Sequence, residues 1–169
     1  MQIRRLTPGD AKAYHRVRLS GLRQDPTAFA SSDEEERDMP EAVVADRLAV
    51  RPDRGTFGAF DEDTLVGIVT LGREDRLKQR HRGMILGMYV TPEARGKGVG
   101  RSLLTEALAL ARSVPGLVQL TLGVNAENPA AIALYDSLGF RRCGLEPAAL
   151  KVGDRLYDEV RMVLRLDGI

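Results

Sequence analysis

The 169 residues have the composition of an ordinary globular protein, 43% hydrophobic and 29% charged, and their number fits one domain over residues 1–169. Because 25 basic residues oppose 24 acidic ones, the net charge of +1 gives no reason to expect binding to nucleic acid. The single cysteine, Cys143, excludes an intramolecular disulfide and any site of several thiolates, and we expect it to be a half-buried strand residue. The sequence has neither a signal-peptide core nor an apolar run of about 18 residues, which predicts a cytoplasmic protein without a membrane span.

The first fifty residues predict one strand and two helices. Residues 2–6 alternate in polarity and favour a short strand. Thr7 is a suitable N-cap for a helix that runs to about Leu22. The polar and acidic residues 27–38 indicate a loop, or a loop with one helical turn, and Pro40 begins the second helix.

The middle of the chain predicts a hairpin, a third strand and a helix. Residues 56–60 and 65–71 are rich in strand-forming side chains, and the turn-type sequence DEDT between them favours an antiparallel hairpin. A charged connection, 73–82, leads to an apolar strand at 84–90. From 99 to 111 the apolar residues recur at helical spacing, which predicts an amphipathic helix.

The last third predicts three strands and one helix. A strand at 117–124 precedes Asn128, which is a strong N-cap for a helix that begins at the following proline. Strands follow at 140 to about 145 and at 156–166. The predicted order is β-α-α-β-β-β-α-β-α-β-β, which suits a mixed sheet with helices on both faces.

The turn between the strand at 84–90 and the helix at 99–111 predicts a phosphate site. It carries three glycines and three basic residues, Arg95, Gly96, Lys97, Gly98, Gly100 and Arg101. A helix N-terminus has free N–H groups and a partial positive charge, and both favour an anion. Glycines allow a ligand to approach the backbone. The sequence therefore favours a ligand with a phosphate, in particular a pyrophosphate.

Three phosphate-binding patterns can be compared with this turn. The Walker A pattern ends in Gly-Lys-Ser/Thr and fails because Lys97 is followed by Gly98. The dinucleotide fingerprint fails because Arg101 stands where its third glycine belongs. The pattern Arg/Gln-x-x-Gly-x-Gly/Ala is met in full by residues 95–100.

Two segments together resemble the GNAT superfamily of acetyl-CoA-dependent N-acetyltransferases. The first is MYVTPEARGKGVGRSLL, and the second, in the expected order and spacing, is VNAENPAAIALYDSLGF. The segment RLSGLRQDPTAFASSDEEE also resembles a bacterial branch of this superfamily. The resemblance covers essentially the whole chain. It implies an α/β fold with a central mixed, mostly antiparallel, twisted sheet of about six to seven strands and helices on both faces.

The resemblance also implies a role for each matching residue. Tyr135 would protonate the departing CoA thiolate. The strands at 84–90 and 117–124 would splay apart to admit acetyl-CoA. Main-chain groups around Met88 to Val90 would pair with the pantetheine arm and orient the thioester carbonyl, and the side chain of Asn128 would contact the arm. The implied acetyl-CoA-binding residues are Met88, Tyr89, Val90, Arg95, Gly96, Lys97, Gly98, Val99, Gly100, Arg101 and Asn128.

One feature departs from the family pattern. Many members carry a glutamate in the strand that corresponds to 84–90, and this chain has none there. The group that removes the proton of the amine is left open among Glu34, Glu35, Glu36, Glu127 and an ordered water. The acidic run that contains the first three is either a solvated start of a helix or a border of the acceptor pocket. His81 is expected to be an exposed residue without a role.

The predicted function is transfer of an acetyl group from acetyl-CoA to a primary amine by direct attack in a ternary complex. The acceptor, a small molecule or a protein amine, is not specified by any motif, and neither is the choice between acetyl and longer acyl donors. No metal is expected, since the two histidines and the single cysteine form no ligand motif. A homodimer is possible by resemblance. A non-catalytic acyl-CoA-binding module on the same fold is the alternative.

Overall fold

The computed structural model describes residues 1–167, and within them it contains one seven-stranded sheet and five α-helices. The strands are β1 (Gln2–Arg5), β2 (Gly55–Asp61), β3 (Thr64–Arg73), β4 (Arg82–Val90), β5 (Gln119–Asn125), β6 (Arg141–Val152) and β7 (Arg155–Arg165). The helices are α1 (Ala11–Gln24), α2 (Asp33–Glu36), α3 (Glu41–Arg47), α4 (Val99–Ser113) and α5 (Pro129–Ser137). The predicted order of elements is confirmed, with the acidic run forming the single turn α2.

The sheet has the order β1-β2-β3-β4-β5-β7-β6. Every neighbouring pair is antiparallel except β4 and β5, which are parallel. This mixed and mostly antiparallel sheet confirms the predicted fold class. Among the described residues no helix is long and apolar enough to cross a bilayer.

Two hydrophobic cores lie on opposite faces of the sheet. Strand side chains alternate between the faces, so that Val69 of β3 packs with α4 and α5 while its neighbour Ile68 packs with α1 and α3. Leu103 and Leu104 of α4 are completely buried in the first core. The sheet is therefore covered by helices on both faces, and α4 is held rigidly against it.

The strands β4 and β5 separate soon after they meet. Their register pairs Arg82 with Gln119 and ends two residues later at Met84 and Thr121. The remainder of each strand has no partner across this gap, which confirms the expected splay. Since the gap opens toward the N-terminus of α4, it places main-chain groups of both strands beside the glycine-rich turn.

The strand β6 differs from its prediction in length and exposure. It extends to Val152 instead of ending near Leu145, because its pairing with β7 resumes after an irregular stretch between Glu146 and Leu150. Within this stretch Ala148 has a φ of +52°, and its N–H donates to the Asp158 carboxylate at 2.8 Å.

Cys143 is exposed, which corrects the prediction of a half-buried residue. The reason is the position of β6, which is the last strand in the sheet order and is open to solvent along residues 141–148. A cysteine in the middle of a strand is half buried only where a helix or another sheet covers it.

Candidate active site

A cleft of about 540 Å³ lies in the gap between β4 and β5. Its walls are the two strands, the segment after α1, the glycine-rich turn and the N-terminal half of α5. All the acetyl-CoA-binding residues named from the sequence line this cleft, except Lys97, and so does Tyr135. Residues that are up to about fifty positions apart in sequence are thus brought to one concave surface.

The glycines of the turn are required for different reasons. Gly96 and Gly98 have φ of +72° and +77°, a region that L side chains rarely adopt, and a Cβ at either would meet no atom within 4 Å. Gly100 lacks such a φ, but its Cβ would lie 2.9 Å from Met88 Cε. The first two glycines leave open space in front of the backbone, and the third allows α4 to pack against β4.

The N-terminus of α4 faces this open space. Gly98 is its N-cap residue. The first i to i−4 hydrogen bond of the helix runs from Ser102 N–H to the Gly98 carbonyl oxygen at 3.1 Å. The N–H groups before Ser102 have no acceptor within the helix, as at any helix N-terminus. This end of the cleft can therefore donate several hydrogen bonds to an anion and adds the favourable end of the helix dipole.

The three basic residues of the turn differ in their surroundings. Arg95 is fixed, because its Nε donates to the Val90 carbonyl at 2.9 Å and its Nη2 donates to Asp25 Oδ2 at 2.5 Å. Arg101 donates to Ser137 Oγ at 2.6 Å. Lys97 is exposed at the tip of the turn. Since Asp25 offsets part of the charge of Arg95, the two other side chains contribute the more accessible positive charge.

A bulge in β4 sets the main chain that faces the cleft. Gly87 has a φ of +58°, and together with Met88 it stands opposite the single residue Val69 of β3. Beyond the bulge, Thr91 N–H donates to Val66 at 2.8 Å, so that alternation along the strand turns Val90 N–H toward the cleft.

Of the three β4 residues named from the sequence, Tyr89 has its main chain turned away from the cleft. It is paired with Ile68 of β3, and its ring is buried in the core beside α1, with the hydroxyl donating to Gln24 at 3.0 Å. The main chain of Tyr89 is hydrogen-bonded within the sheet, so the N–H of Val90 is the group that can pair with a ligand. The carbonyl of Val90 already accepts a hydrogen bond from Arg95.

Two residues of the second segment reach the cleft from α5. Asn128 is the N-cap of α5, and its Oδ1 accepts from Ala131 N–H at 3.1 Å, which leaves its amide N–H groups as donors. Tyr135 is 7% exposed and packs edge-on against Phe140, with ring centroids 5.8 Å apart. Burial raises the pKa of its phenol to about 12, so the hydroxyl stays protonated at neutral pH.

A match to a known protein family covers most of the residues that line the cleft. The model of the acetyltransferase (GNAT) family matches residues 19–140, which include the whole glycine-rich turn and α5.

The chain belongs to the GNAT acetyltransferase family.

Similar proteins act on different acceptors. The N-alpha-acetyltransferase RimI of Mycobacterium tuberculosis is 39% identical over 107 residues, which are 63% of this chain and 63% of that protein. A spermidine N(1)-acetyltransferase of Vibrio cholerae is 26% identical over 164 residues, 97% of this chain and 92% of that protein. The chain covers less than two thirds of the length of the first curated relatives that it matches, 28% and 63%.

Solved GNAT structures share the fold. An acetyltransferase from Streptococcus pneumoniae superposes with a TM-score of 0.85 at 25% identity and covers 97% of this chain and 98% of its own. A phosphinothricin acetyltransferase from Sinorhizobium meliloti, solved in complex with acetyl-CoA, has a TM-score of 0.83 at 23% identity and covers 97% and 87%. This chain therefore shares the GNAT fold with structures that include one solved with acetyl-CoA.

The glutamates suggested as proton acceptors lie away from the GNAT cleft, since none of the four lines it. Glu35 accepts from Ser32 as part of the cap of α2, and Glu34 is 76% exposed. Glu127 is held by Arg155 at 2.6 Å. These positions give no support to a role in deprotonation.

Glu36 is held by two arginines. Burial would raise its pKa, but the hydrogen bonds and charge of Arg18, together with the charge of Arg47, outweigh this and lower it to about 2. A carboxylate held in this way is a weak proton acceptor. Glu36 is instead the residue that fixes α2 to α1.

Among the lining residues that sequence reasoning missed, three are polar or glycine residues of the last strands. Gly123 and Asn125 come from β5, and Glu159 comes from β7. Asn125 is 8% exposed and is the register partner of Glu159. No local motif marks these positions, and only the pairing of β5 with β7 brings them together. Within residues 1–167 no cluster of three or more His, Cys, Asp or Glu side chains could hold a metal ion.

Proposed function

We propose that this GNAT chain transfers an acetyl group from acetyl-CoA to a primary amine by direct attack in a ternary complex. One observation carries the proposal: the cleft between β4 and β5 is lined at one end by the N-terminal turn of α4 and elsewhere by Tyr135. An anion-binding end and a protonated hydroxyl on one surface match a donor with a pyrophosphate and a leaving thiolate. Residues 1–169 would form one catalytic domain.

The residues of the cleft fit acetyl-CoA in shape and charge. The open space before Gly96 and Gly98 can take the pyrophosphate, where the N–H groups of Val99, Gly100 and Arg101 would bind it. Lys97 and Arg101 would add charge at its rim. Asn128 would donate to the pantetheine arm, and Val90 N–H would pair with it across the splayed strands.

Acetyl transfer from a thioester to an amine is aided by hydrogen-bond donors near the thioester. Attack by an amine places negative charge on the carbonyl oxygen, and a fixed N–H donor lowers the cost of that charge. Tyr135 would stabilise the sulfur that leaves. With a pKa of about 12 against about 8.5 for a thiol, complete proton transfer before ligands bind would cost about 5 kcal/mol. Tyr135 therefore acts chiefly as a hydrogen-bond donor until a proton from the amine becomes available.

The relatives indicate that the acceptor is an amine, and they differ in which amine it is. One relative is named as a peptidyl-lysine N-acetyltransferase and another as a spermidine N(1)-acetyltransferase, so a small-molecule amine and a protein amine both suit this fold. The cytoplasmic location and the homodimer remain predictions from the sequence.

A second candidate function is binding of acyl-CoA without turnover. The high pKa of Tyr135 favours it, together with the placement of all four expected proton acceptors outside the cleft. This candidate shares the cofactor geometry with the first and differs only in the fate of the thioester.

A screen for CoA release over a panel of amines tests both candidates. The panel contains spermidine, free amino acids and a peptide with a free N-terminus, and thiol release is measured with a colorimetric reagent. Acceptor-dependent release by the wild type supports transfer. Tight binding of acetyl-CoA by calorimetry with no release above hydrolysis supports the second candidate, and the absence of binding at tens of micromolar contradicts both.

A further inference from the structure

Glu159 lies on the face of the sheet opposite α4 and α5. Its neighbour Val160 packs in the core with α4, and so does Val124, the register partner of Val160 in β5. Since side chains alternate along a strand, the next pair, Asn125 and Glu159, points to the other face. Glu159 nevertheless lines the cleft, so the cleft passes through the splayed strands from one face of the sheet to the other.

The far side of the cleft has a lining unlike that of the phosphate end. The segment after α1 contributes Thr27 and Ala28, and β4 contributes Leu86, which is 48% exposed. From the glycine-rich turn, the side chain of Arg95 reaches this side of the sheet, where it pairs with Asp25. An acceptor that approaches from the side of α1 would therefore meet Glu159 before it meets the donors that bind the cofactor.

The carboxylate of Glu159 is partly buried and has free hydrogen-bonding capacity. Its side chain is 18% exposed, and within residues 1–167 it accepts no hydrogen bond. Its cationic neighbour Arg161 is 3.8 Å away, beyond hydrogen-bond distance, and donates instead to Glu146 through two nitrogens. Other charged groups at this side are Asp25 and Arg95, which pair with each other.

Space for this carboxylate is provided by Gly123. A Cβ at Gly123 would lie 2.7 Å from Glu159 Oε2, closer than any side chain tolerates. Gly123 does not have a positive φ, so the reason for glycine here is the close approach of Glu159. The chain thus holds a carboxylate over β5, at the position where the two strands have parted.

We propose that Glu159 binds the attacking amine and accepts its proton. This inference rests on the proposed function, and it deepens that function by naming a cationic primary amine as the substrate class. An ammonium group would be attracted by a half-buried carboxylate that lacks a hydrogen-bonding partner.

Two protons leave the substrate nitrogen in this step. A substrate ammonium first loses one proton to solvent through Glu159, and the nitrogen lone pair forms the N–C bond to the thioester carbonyl. The C–S bond breaks, and the sulfur leaves with its electron pair. The second proton of the nitrogen passes to Glu159, directly or through one water, as the nitrogen gains positive charge. The sulfur gains one proton from Tyr135, and the proton held by Glu159 restores Tyr135 through solvent, so that the net products are amide, thiol and one released proton.

Replacement of Glu159 by glutamine tests this assignment, since it removes the charge and keeps the shape. The probe is acetyl-CoA with whichever panel amine the wild type acetylates fastest. We expect kcat/KM at pH 7.5 to fall about 100-fold or more. We also expect the variant to recover roughly tenfold per pH unit up to pH 9.5, because free amine with a pKa near 10 then replaces the missing acceptor.

Glu127→Gln is the matched control, because it removes a carboxylate that pairs with Arg155 outside the cleft. It should keep wild-type kcat/KM. Calorimetry with acetyl-CoA checks that Glu159→Gln is folded, and we expect an unchanged Kd. A second variant, Gly123→Val, keeps the carboxylate but displaces it, and should lower kcat/KM with the same pH dependence.

The outcomes separate the assignment from the function on which it rests. If the wild type releases CoA and Glu159→Gln stays within threefold of it from pH 7 to 9.5, the assignment is wrong and the proposed function stands. A loss of activity in Glu159→Gln that is equal at every pH also overturns the proton transfer. If the wild type binds acetyl-CoA and acetylates none of the amines, the proposed function fails and the assignment fails with it.

Discussion

The guanidinium of Arg18 donates two hydrogen bonds to the carboxylate of Glu36, at 2.6 and 2.7 Å, and the two side chains are only 13% and 3% exposed. Replacement of Glu36 by glutamine would leave a buried cation without its counter-charge. We expect the free energy of unfolding to fall by about 3–5 kcal/mol. Glu34→Gln, an exposed position on the same helical turn, should change it by less than about 0.5 kcal/mol in urea denaturation.

The same pair predicts how stability depends on acidity. The pKa of Glu36 is lowered to about 2, below a value of about 4.3 in an unfolded chain. The contribution of its charge to stability is therefore fully present above about pH 4.5 and is lost as the pH falls toward 2. Between pH 6 and pH 3 the melting temperature should fall less steeply with pH for Glu36→Gln than for wild type. Equal slopes would contradict the low pKa.

Gly98→Glu should abolish binding of acetyl-CoA, because it places bulk and negative charge where the pyrophosphate is expected. Gly116→Glu is a matched control at the other end of α4. Both glycines have a φ near +76° (+77° and +75°) and open space around them, so the backbone strain of the two changes is alike. Calorimetry should detect no binding for the first variant and a wild-type Kd for the second. Undiminished affinity in Gly98→Glu would disprove the phosphate placement.

Tyr135→Phe should lower kcat at least about 10-fold, since general acid help to a leaving group is typically worth about 10²–10⁴-fold. The Kd for acetyl-CoA should change little, because the ring still packs on Phe140. Tyr157→Phe, on β7 outside the cleft, serves as control. With a pKa of about 12, Tyr135 should cause no fall in activity between pH 7 and 10. Unchanged turnover in Tyr135→Phe would remove it from the reaction.

The fold was predictable where local patterns and tertiary packing agree. The apolar positions of 99–111 match the buried face of α4, and the DEDT turn joins β2 to β3. The end of β6 was missed because Pro147 is a strand breaker in the interior of a sheet, whereas an edge strand accommodates it in an irregular stretch. Exposure of Cys143 was missed for a related reason, since the position of β6 at the edge is decided by topology and not by its own sequence.

The candidate site was predictable on the cofactor side and hidden on the acceptor side. The residues around Gly98 form a contiguous motif, so the glycines and basic side chains that bind a phosphate can be read from one short segment. Glu159 lies in an alternating strand, where any polar residue would be read as facing water. Its place beside the cleft depends on the register of β5 with β7 and on the splay of β4 from β5, and neither can be obtained from spacing along the chain.

The irregular stretch of β6 has a consequence for how the molecule behaves at high concentration. A flat edge strand of twelve residues would offer a second molecule a continuous row of hydrogen-bonding groups. Pro147 has no N–H to offer, and Ala148 turns its N–H to Asp158 within the same chain. An added strand could therefore pair with only one side of the kink, which disfavours fibril-like stacking of chains and keeps the exposed Leu145 from seeding aggregates.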